Sequence, residues 1–186
     1  TNKMKTEQNY LENLSKPLSI EDIDFRVQSI NKGGYATILA YKDARVDIKR
    51  LNEVCGVLGW KREHTRDNRN CIVSIWDSAN KHWVSKEDTG TESMADSQKG
   101  LASDSFKRAC FNLGIGIELY DYPVIQIKLN PDEFKIEGQK VKQTYNLKLR
   151  DWKWYSEFDG NNLVAIACRD DKGKVRFNIG TFTKKA

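Results

Sequence analysis

The chain has 186 residues, which is the length of one domain, or of one domain with a small addition. Hydrophobic residues make up 39% and charged residues 31% of it, a composition that is typical of a folded protein and excludes a disordered chain or a set of membrane helices. No apolar stretch approaches the roughly 20 residues of a spanning helix, and no charged leader with an apolar stretch opens the sequence. We therefore expect a cytoplasmic protein without a membrane partner.

The net charge of +5 is unevenly distributed along the chain. Residues 123–186 contain 13 Lys and Arg against 8 Asp and Glu, whereas residues 1–122 contain 18 of each. Such a surplus is compatible with binding to nucleic acid, but a solvated basic surface explains it equally well.

Cofactor and metal chemistry finds little support in the sequence. The four cysteines form no CxxC pair, and the chain has two histidines, so the usual spacing of metal ligands is missing. No GxxxxGK[ST] sequence is present, which disfavours an ATP-driven protein. We predict four reduced thiols, at Cys55, Cys71, Cys110 and Cys168, and no cofactor.

The first 122 residues predict a mixed α+β domain. A polar N-terminus (Thr1–Gln8) and a short helix (Glu7–Leu14) precede a break at Pro17 and a new start at Ser19–Asp22. A turn at Asn31–Gly34 leads to a buried strand and then to a first long helix capped by Asp43. Three strands and a second long helix follow. The predicted bounds are 35–41 (strand), 43–58 (helix), 60–66, 71–77 and 81–87 (strands), and 94 or 97 to 112 (helix).

The first long helix has a clear apolar periodicity. Its predicted core face consists of Ala44, Ile48, Leu51, Cys55 and Leu58, and a neighbouring polar stripe consists of Arg45, Lys49 and Asn52. The triplet Asp47-Ile48-Lys49 imitates the D-x-K element of metal-dependent nucleases. Because it falls within a helical pattern, we expect no nuclease site and no enzymatic activity.

After Tyr122 the pattern becomes β. We predict strands at 124–129, 141–149, 163–169 and 175–179, and a hairpin turn at Asp170–Gly173, where glycine takes the left-handed conformation. Trp152 and Trp154 alternate, so both are expected on one side of a strand, as candidate base-stacking residues. The predicted organisation is an N-terminal segment (1–17), a core (18–122) and a basic β appendage packed on it (123–186).

The second long helix carries the most information about function. Its predicted core face consists of Ala102, Phe106, Ala109, Cys110 and Leu113. Lys107, Arg108 and Phe111 point to the opposite half, and Asp104 beside the cations needs a partner, which a neighbouring Arg or Lys would supply. An adjacent Arg and Lys suit phosphate oxygens, although a solvated pair of charges is the simpler explanation.

Three stretches of the chain form a combined motif. Residues 87–121 read EDTGTESMADSQKGLASDSFKRACFNLGIGIELYD, residues 41–60 read YKDARVDIKRLNEVCGVLGW, and residues 20–26 read IEDIDFR. Together they resemble the Rad52 family of single-strand annealing proteins, particularly its phage (Sak-like) branch. Their order and spacing match the family signature over roughly residues 18–122. One departure is Phe111, which stands where a further Arg is often found.

The resemblance implies a β-β-β-α core that assembles into rings or filaments and holds single-stranded DNA in a positive groove. It implies ATP-independent annealing in recombination and repair, with a bacterial host cytoplasm as the location and a partner exonuclease or single-strand-binding protein. The DNA-binding residues that we carry over or place beside them are Arg45, Lys49, Lys99, Ser103, Lys107 and Arg108. Alternatives remain open: a non-annealing single-strand-binding protein or RNA chaperone, or an interaction protein without nucleic acid.

Overall fold

Strands in antiparallel sheets dominate the fold, with few helices. The computed structural model describes residues 10, 12–91 and 97–183, the side chains of residues 97–99 excepted. This mixed α+β architecture confirms the predicted class, while assembly into rings or filaments stays a prediction. Neither long helix of the described chain is long and apolar enough to cross a membrane.

The strands and helices follow the predicted order in the first half of the chain. Residues 12–15 are helical, in the region predicted as a short N-terminal helix. The two long helices are α1 (Ala44–Cys55) and α2 (Ser97–Phe111). The strands are β1 (Asp24–Ile30), β2 (Tyr35–Tyr41), β3 (Trp60–Thr65), β4 (Asn70–Asp77), β5 (His82–Thr89), β6 (Ile125–Lys128), β7 (Phe134–Glu137), β8 (Lys140–Gln143), β9 (Lys153–Asp159), β10 (Asn162–Arg169) and β11 (Val175–Gly180).

The chain divides into two compact units. Unit 1 contains Thr1–Leu18 and Lys42–Ile117, and unit 2 contains Ser19–Tyr41 and Glu118–Ala186. These units differ from the organisation expected from sequence, because β2 pairs with β6 in one sheet of unit 2. A strand that follows residue 122 thus completes a sheet begun by β1 and β2.

Unit 1 contains the β-β-β-α sequence of elements. Strands β3, β4 and β5 form an antiparallel sheet in that order, and α2 packs on the face that carries Cys71 and Val73, both fully buried. The helix buries Leu101, Ser105, Phe106, Ala109 and Cys110. The buried face of α2 is therefore rotated slightly from the predicted core face, since Ala102 and Leu113 are only half-buried.

Helix α1 begins as predicted and buries Leu51 of the predicted core face, together with the unexpected Asp47. The carboxylate of Asp43 accepts a hydrogen bond from the Arg45 backbone N–H at 2.8 Å and caps the first turn. The helix ends at Gly56, which has a φ of 73°, so Leu58 lies outside it and is 94% exposed. The buried residues are Asp47 and Leu51, whereas the predicted positions Ala44, Ile48 and Cys55 are half-buried.

Unit 2 contains the sheet β1-β2-β6, the sheet β11-β10-β9 and the hairpin β7-β8. The predicted turn at Asp170–Gly173 joins β10 to β11, and Gly173 has a φ of 81°. The predictions missed β1, β7 and β9, and β8 ends at Gln143, well before the predicted end at residue 149. None of these three strands has a buried position, and the apolar alternation of β1 and β7 extends over only a few residues, which is a weak signal in the sequence.

Candidate nucleic-acid interface

The two adjacent cations of α2 are partly covered by the protein. Lys107 and Arg108 are both half-buried. The Arg108 Nε atom lies 3.6 Å from the Asp88 carboxylate, on the neighbouring strand β5, and the Asn112 amide donates a hydrogen bond to the same carboxylate at 3.1 Å. The charge of Arg108 is thus balanced within unit 1, and its side chain is 41% exposed.

A buried lysine connects the start of α1 to α2. The Lys42 ammonium donates hydrogen bonds to the Asp47 carboxylate and to the Lys107 carbonyl, the latter at 3.3 Å. It also lies 4.1 Å from the centroid of the Phe111 ring, within the range of a cation–π interaction. Phe111, predicted to point away from the core, is therefore packed over a buried cation.

Burial perturbs both members of the Lys42–Asp47 pair. Burial raises the pKa of Asp47, against the opposing effect of Lys42. It lowers the pKa of Lys42, again against the attraction of its partner. The second carboxylate oxygen, Oδ2 of Asp47, has no hydrogen-bond partner among the described residues. Since Asp47 is sealed in this pair while Lys49 is exposed, the D-x-K triplet does not converge on one site.

Arg45 lies at the exposed N-terminal end of α1. Its side chain is 88% exposed, and its Nε donates to the Asp43 carboxylate at 2.9 Å. The hydrogen bonds from the Arg45 side chain and backbone lower the pKa of Asp43, and the charge of Lys107 adds to the effect. The hydrogen bond from the Lys42 ammonium to the Lys107 carbonyl places this part of α2 beside the start of α1, where Arg45 lies.

The other predicted contact residues are more scattered. Lys49 is exposed on α1 and Ser103 is exposed on α2. The side chain of Lys99 lies outside the described part of the chain. Asp104 accepts hydrogen bonds from the Thr91 backbone N–H at 2.8 Å and from the Thr91 hydroxyl at 3.4 Å, so its described partner is Thr91 instead of the expected cation.

Comparison with known proteins supports part of the resemblance. Residues 6–74 match the model of the Rad52/22 family of double-strand break repair proteins. No curated protein sequence matches the chain significantly. The Rad52/22 match includes Arg45 and Lys49, whereas Lys107 and Arg108 lie beyond it, and it does not distinguish the phage branch, which stays a prediction.

Two features of unit 1 were missed by sequence reasoning. One is the buried Lys42–Asp47 pair. Its only signal in the sequence is that two charged residues lie in stretches whose other residues are mostly half-buried. The other is a hydrogen bond at 2.9 Å from the fully buried Ser105 hydroxyl, on α2, to the carbonyl of Asn68, within the β3–β4 loop. Arg66, Asp67 and Asn68 all have a positive φ, so Ser105 supports a conformation that non-glycine residues seldom adopt.

No group of three or more metal-binding side chains occurs in the described ranges. The Ser105 hydroxyl lies 3.5 Å from the His64 Nδ1 atom. Because that hydroxyl donates to a backbone carbonyl and is sealed from water, the pair supports the loop and resembles no activated nucleophile.

Trp152 and Trp154, the predicted stacking candidates, pack inside the protein, whereas two other tryptophans are partly exposed. Trp152 is buried beneath the Arg176 guanidinium, 4.5 Å from the ring centroid, and Trp154 stacks on Phe25 with ring centroids 3.7 Å apart. The predicted stacking pair is thus part of the unit 2 core. Trp60 packs on Phe106, whereas Trp76 and Trp83, on β4 and β5, are 39% and 37% exposed.

Proposed function

We propose that this chain is a single-stranded DNA annealing protein that acts in recombination and DNA repair. The Rad52/22 match over residues 6–74 supports the repair role. The hydrogen bond from the Lys42 ammonium to the Lys107 carbonyl is the observation that carries the proposal to DNA binding, since it holds the Lys107-Arg108 stretch of α2 beside the start of α1, where Arg45 is exposed.

The proposed mechanism requires no bond chemistry. Arg45, Lys107 and Arg108 contact phosphates without reading sequence, which leaves the bases unpaired and able to test a second strand. Copies of the chain arranged in a ring or filament multiply these contacts, so many weak sites give a strong overall attachment. ATP and metal ions have no part in this process.

The near-neutral charge of residues 1–122 fits annealing better than tight storage of DNA. A strongly basic groove binds duplex as well as single strands and so retains the product. In unit 1 the Asp43 and Asp88 carboxylates moderate the Arg45 and Arg108 guanidinium groups. We infer that this balance allows the paired duplex to leave.

The test is annealing of two complementary, dye-labelled oligonucleotides without ATP and with EDTA present. We expect acceleration over the spontaneous rate. Lys107→Gln is expected to reduce it, whereas the control Lys172→Gln removes the same charge from an exposed hairpin of unit 2 and should leave it unchanged.

Two results would contradict the proposal in different ways. Binding of single strands without faster pairing would indicate a single-strand-binding protein or RNA chaperone. Absence of binding to any oligonucleotide would mean that the family match reflects the ancestry of the fold alone.

A further inference from the structure

The open face of the β3-β4-β5 sheet carries an exposed aromatic pair beneath a lysine. Trp76 and Trp83 are direct cross-strand neighbours, with ring centroids 5.4 Å apart and planes at 64°. The Lys61 ammonium lies 4.8 Å from the centroid of the Trp83 ring. We call Lys61, Trp76 and Trp83 the tryptophan face.

The register of the sheet places this face opposite α2. Side chains alternate along a strand, so Trp76 points away from the side on which Cys71 and Val73 are buried by α2. Lys61 is paired with Ser74 and therefore shares the side of Trp76. The tryptophan face is thus separate from the surface formed by Arg45, Lys107 and Arg108.

Gly59 is the neighbour of Trp76 on the β3 side. Its carbonyl accepts a hydrogen bond from the Trp76 backbone N–H at 2.9 Å, so it occupies the position beside Trp76 in the sheet. A Cβ atom at Gly59 would lie 2.0 Å from the Cys55 carbonyl oxygen. Any larger residue at position 59 requires movement of the end of α1, so this neighbour of Trp76 carries no side chain.

We propose that the tryptophan face binds the bases of single-stranded DNA by stacking, with Lys61 contacting the adjacent phosphate. This inference rests on the proposed function and extends it from phosphate contacts to base contacts. Exposed indole rings stack on any base, and a cation beside them completes the pattern by which proteins hold single strands without sequence preference.

The charges around the tryptophan face favour binding of a DNA strand at the end of the sheet where the turn joins β4 to β5. Lys81, in the turn between β4 and β5, is exposed and adds a second cation there. Four residues from the tryptophans along the sheet, the exposed Glu63 and Glu87 flank Ile72 on the same side and repel phosphate. DNA is therefore expected to cross the sheet at the tryptophan face and not at its opposite end.

The test compares binding of a 30-nucleotide oligo(dT) and an abasic oligonucleotide of the same length and charge. Trp83→Ala is expected to weaken oligo(dT) binding by roughly 5- to 100-fold, the range of one stacked base, and to leave abasic binding unchanged. Trp83→Phe should restore most of the affinity. Lys61→Gln should weaken the binding of both oligonucleotides, since Lys61 contacts phosphate. Val84→Ala, at an exposed position on the other side of β5, is the matched control.

Three outcomes would overturn the inference. The first is equal oligo(dT) affinity of Trp83→Ala and the wild-type chain, which leaves the proposed function standing. The second is a loss of binding by Trp83→Ala that sedimentation shows to accompany dissociation of the oligomer. That result would assign the tryptophan face to contact with a second copy of the chain. The third is absence of binding by the wild-type chain, which removes the proposed function as well.

Discussion

Lys42 and Asp47 form an ion pair that is sealed from water, with 1% and 0% of their side chains exposed. Lys42 follows the last residue of β2, and Asp47 lies in the first turns of α1. Burial of two charges is costly, so the attraction within the pair mainly offsets a penalty that apolar residues would avoid. What the pair adds is position, because the same ammonium also holds the Lys107 carbonyl and the Phe111 ring of α2.

The first prediction concerns the coupling between these two charges. Lys42→Met leaves the Asp47 carboxylate buried without its cation, and should lower the free energy of unfolding by about 3–5 kcal/mol. Asp47→Leu leaves the ammonium unpaired and should cost a similar amount. The double variant should cost clearly less than the sum of the two, as measured by urea unfolding at pH 7. Additive losses would show that the two charges stabilise the fold independently.

Sequence reasoning succeeded where a local pattern determines the structure. The Asp43 cap, the three strands of unit 1 and the Asp170–Gly173 turn were predicted, because each depends on neighbouring residues in the chain. The order β-β-β-α followed from the same local signals.

The interior of unit 1 was harder to predict because it is not purely apolar. A periodicity analysis assigns Asp47 and Lys42 to water, since each charge alone is costly to bury. Only the fold brings them together and places Phe111 over the ammonium. The ion pair of Arg108, on α2, depends in the same way on the fold, because its partner Asp88 lies on strand β5.

The second prediction concerns the stability of unit 2 at low pH. The Arg176 guanidinium, 4% exposed, donates hydrogen bonds to Glu133 at 2.7 Å and to Asp170 at 3.3 Å. Burial alone would raise the pKa of each carboxyl, but hydrogen bonds, from Arg176 and backbone N–H groups, outweigh it and leave both pKa values lowered. A lowered folded-state pKa gives stability that is present above the unfolded value, about 4, and is lost as the pH falls through the folded value.

The free energy of unfolding should therefore decrease steadily below about pH 4, measured by urea titrations at several pH values. Arg176→Met removes one of the causes of the lowered pKa values. The variant should therefore have a smaller free energy of unfolding at pH 7, and this free energy should decrease less steeply as the pH falls. Parallel pH profiles for the two proteins would show that the Arg176 cluster does not control the acid response.

The third prediction concerns the restraint of Arg108 by Asp88. Asp88→Asn removes the opposing charge and keeps a side chain of the same size, so Arg108 becomes available to phosphate. We expect single-strand affinity to rise by up to about 5-fold, since partly exposed ion pairs contribute about 1 kcal/mol or less. In the Arg108→Gln background the same substitution should have a smaller effect, because only the general change of charge remains. Equal gains in affinity in both backgrounds would show that Asp88 does not act through Arg108. Circular dichroism should show that the fold of each variant is unchanged.

The fourth prediction concerns the number of phosphates held at the end of α1. Each phosphate neutralised on single-stranded DNA contributes about −0.7 to the slope of log affinity against log salt concentration. Arg45→Gln should therefore make the slope of the wild-type chain shallower by about 0.7, with equal changes for oligonucleotides of different sequence, because phosphate contacts do not read bases. Fluorescence anisotropy between low and physiological salt measures both slopes. An unchanged slope would place Arg45 outside the DNA path, and a slope near zero in the wild-type chain would argue against phosphate contacts altogether.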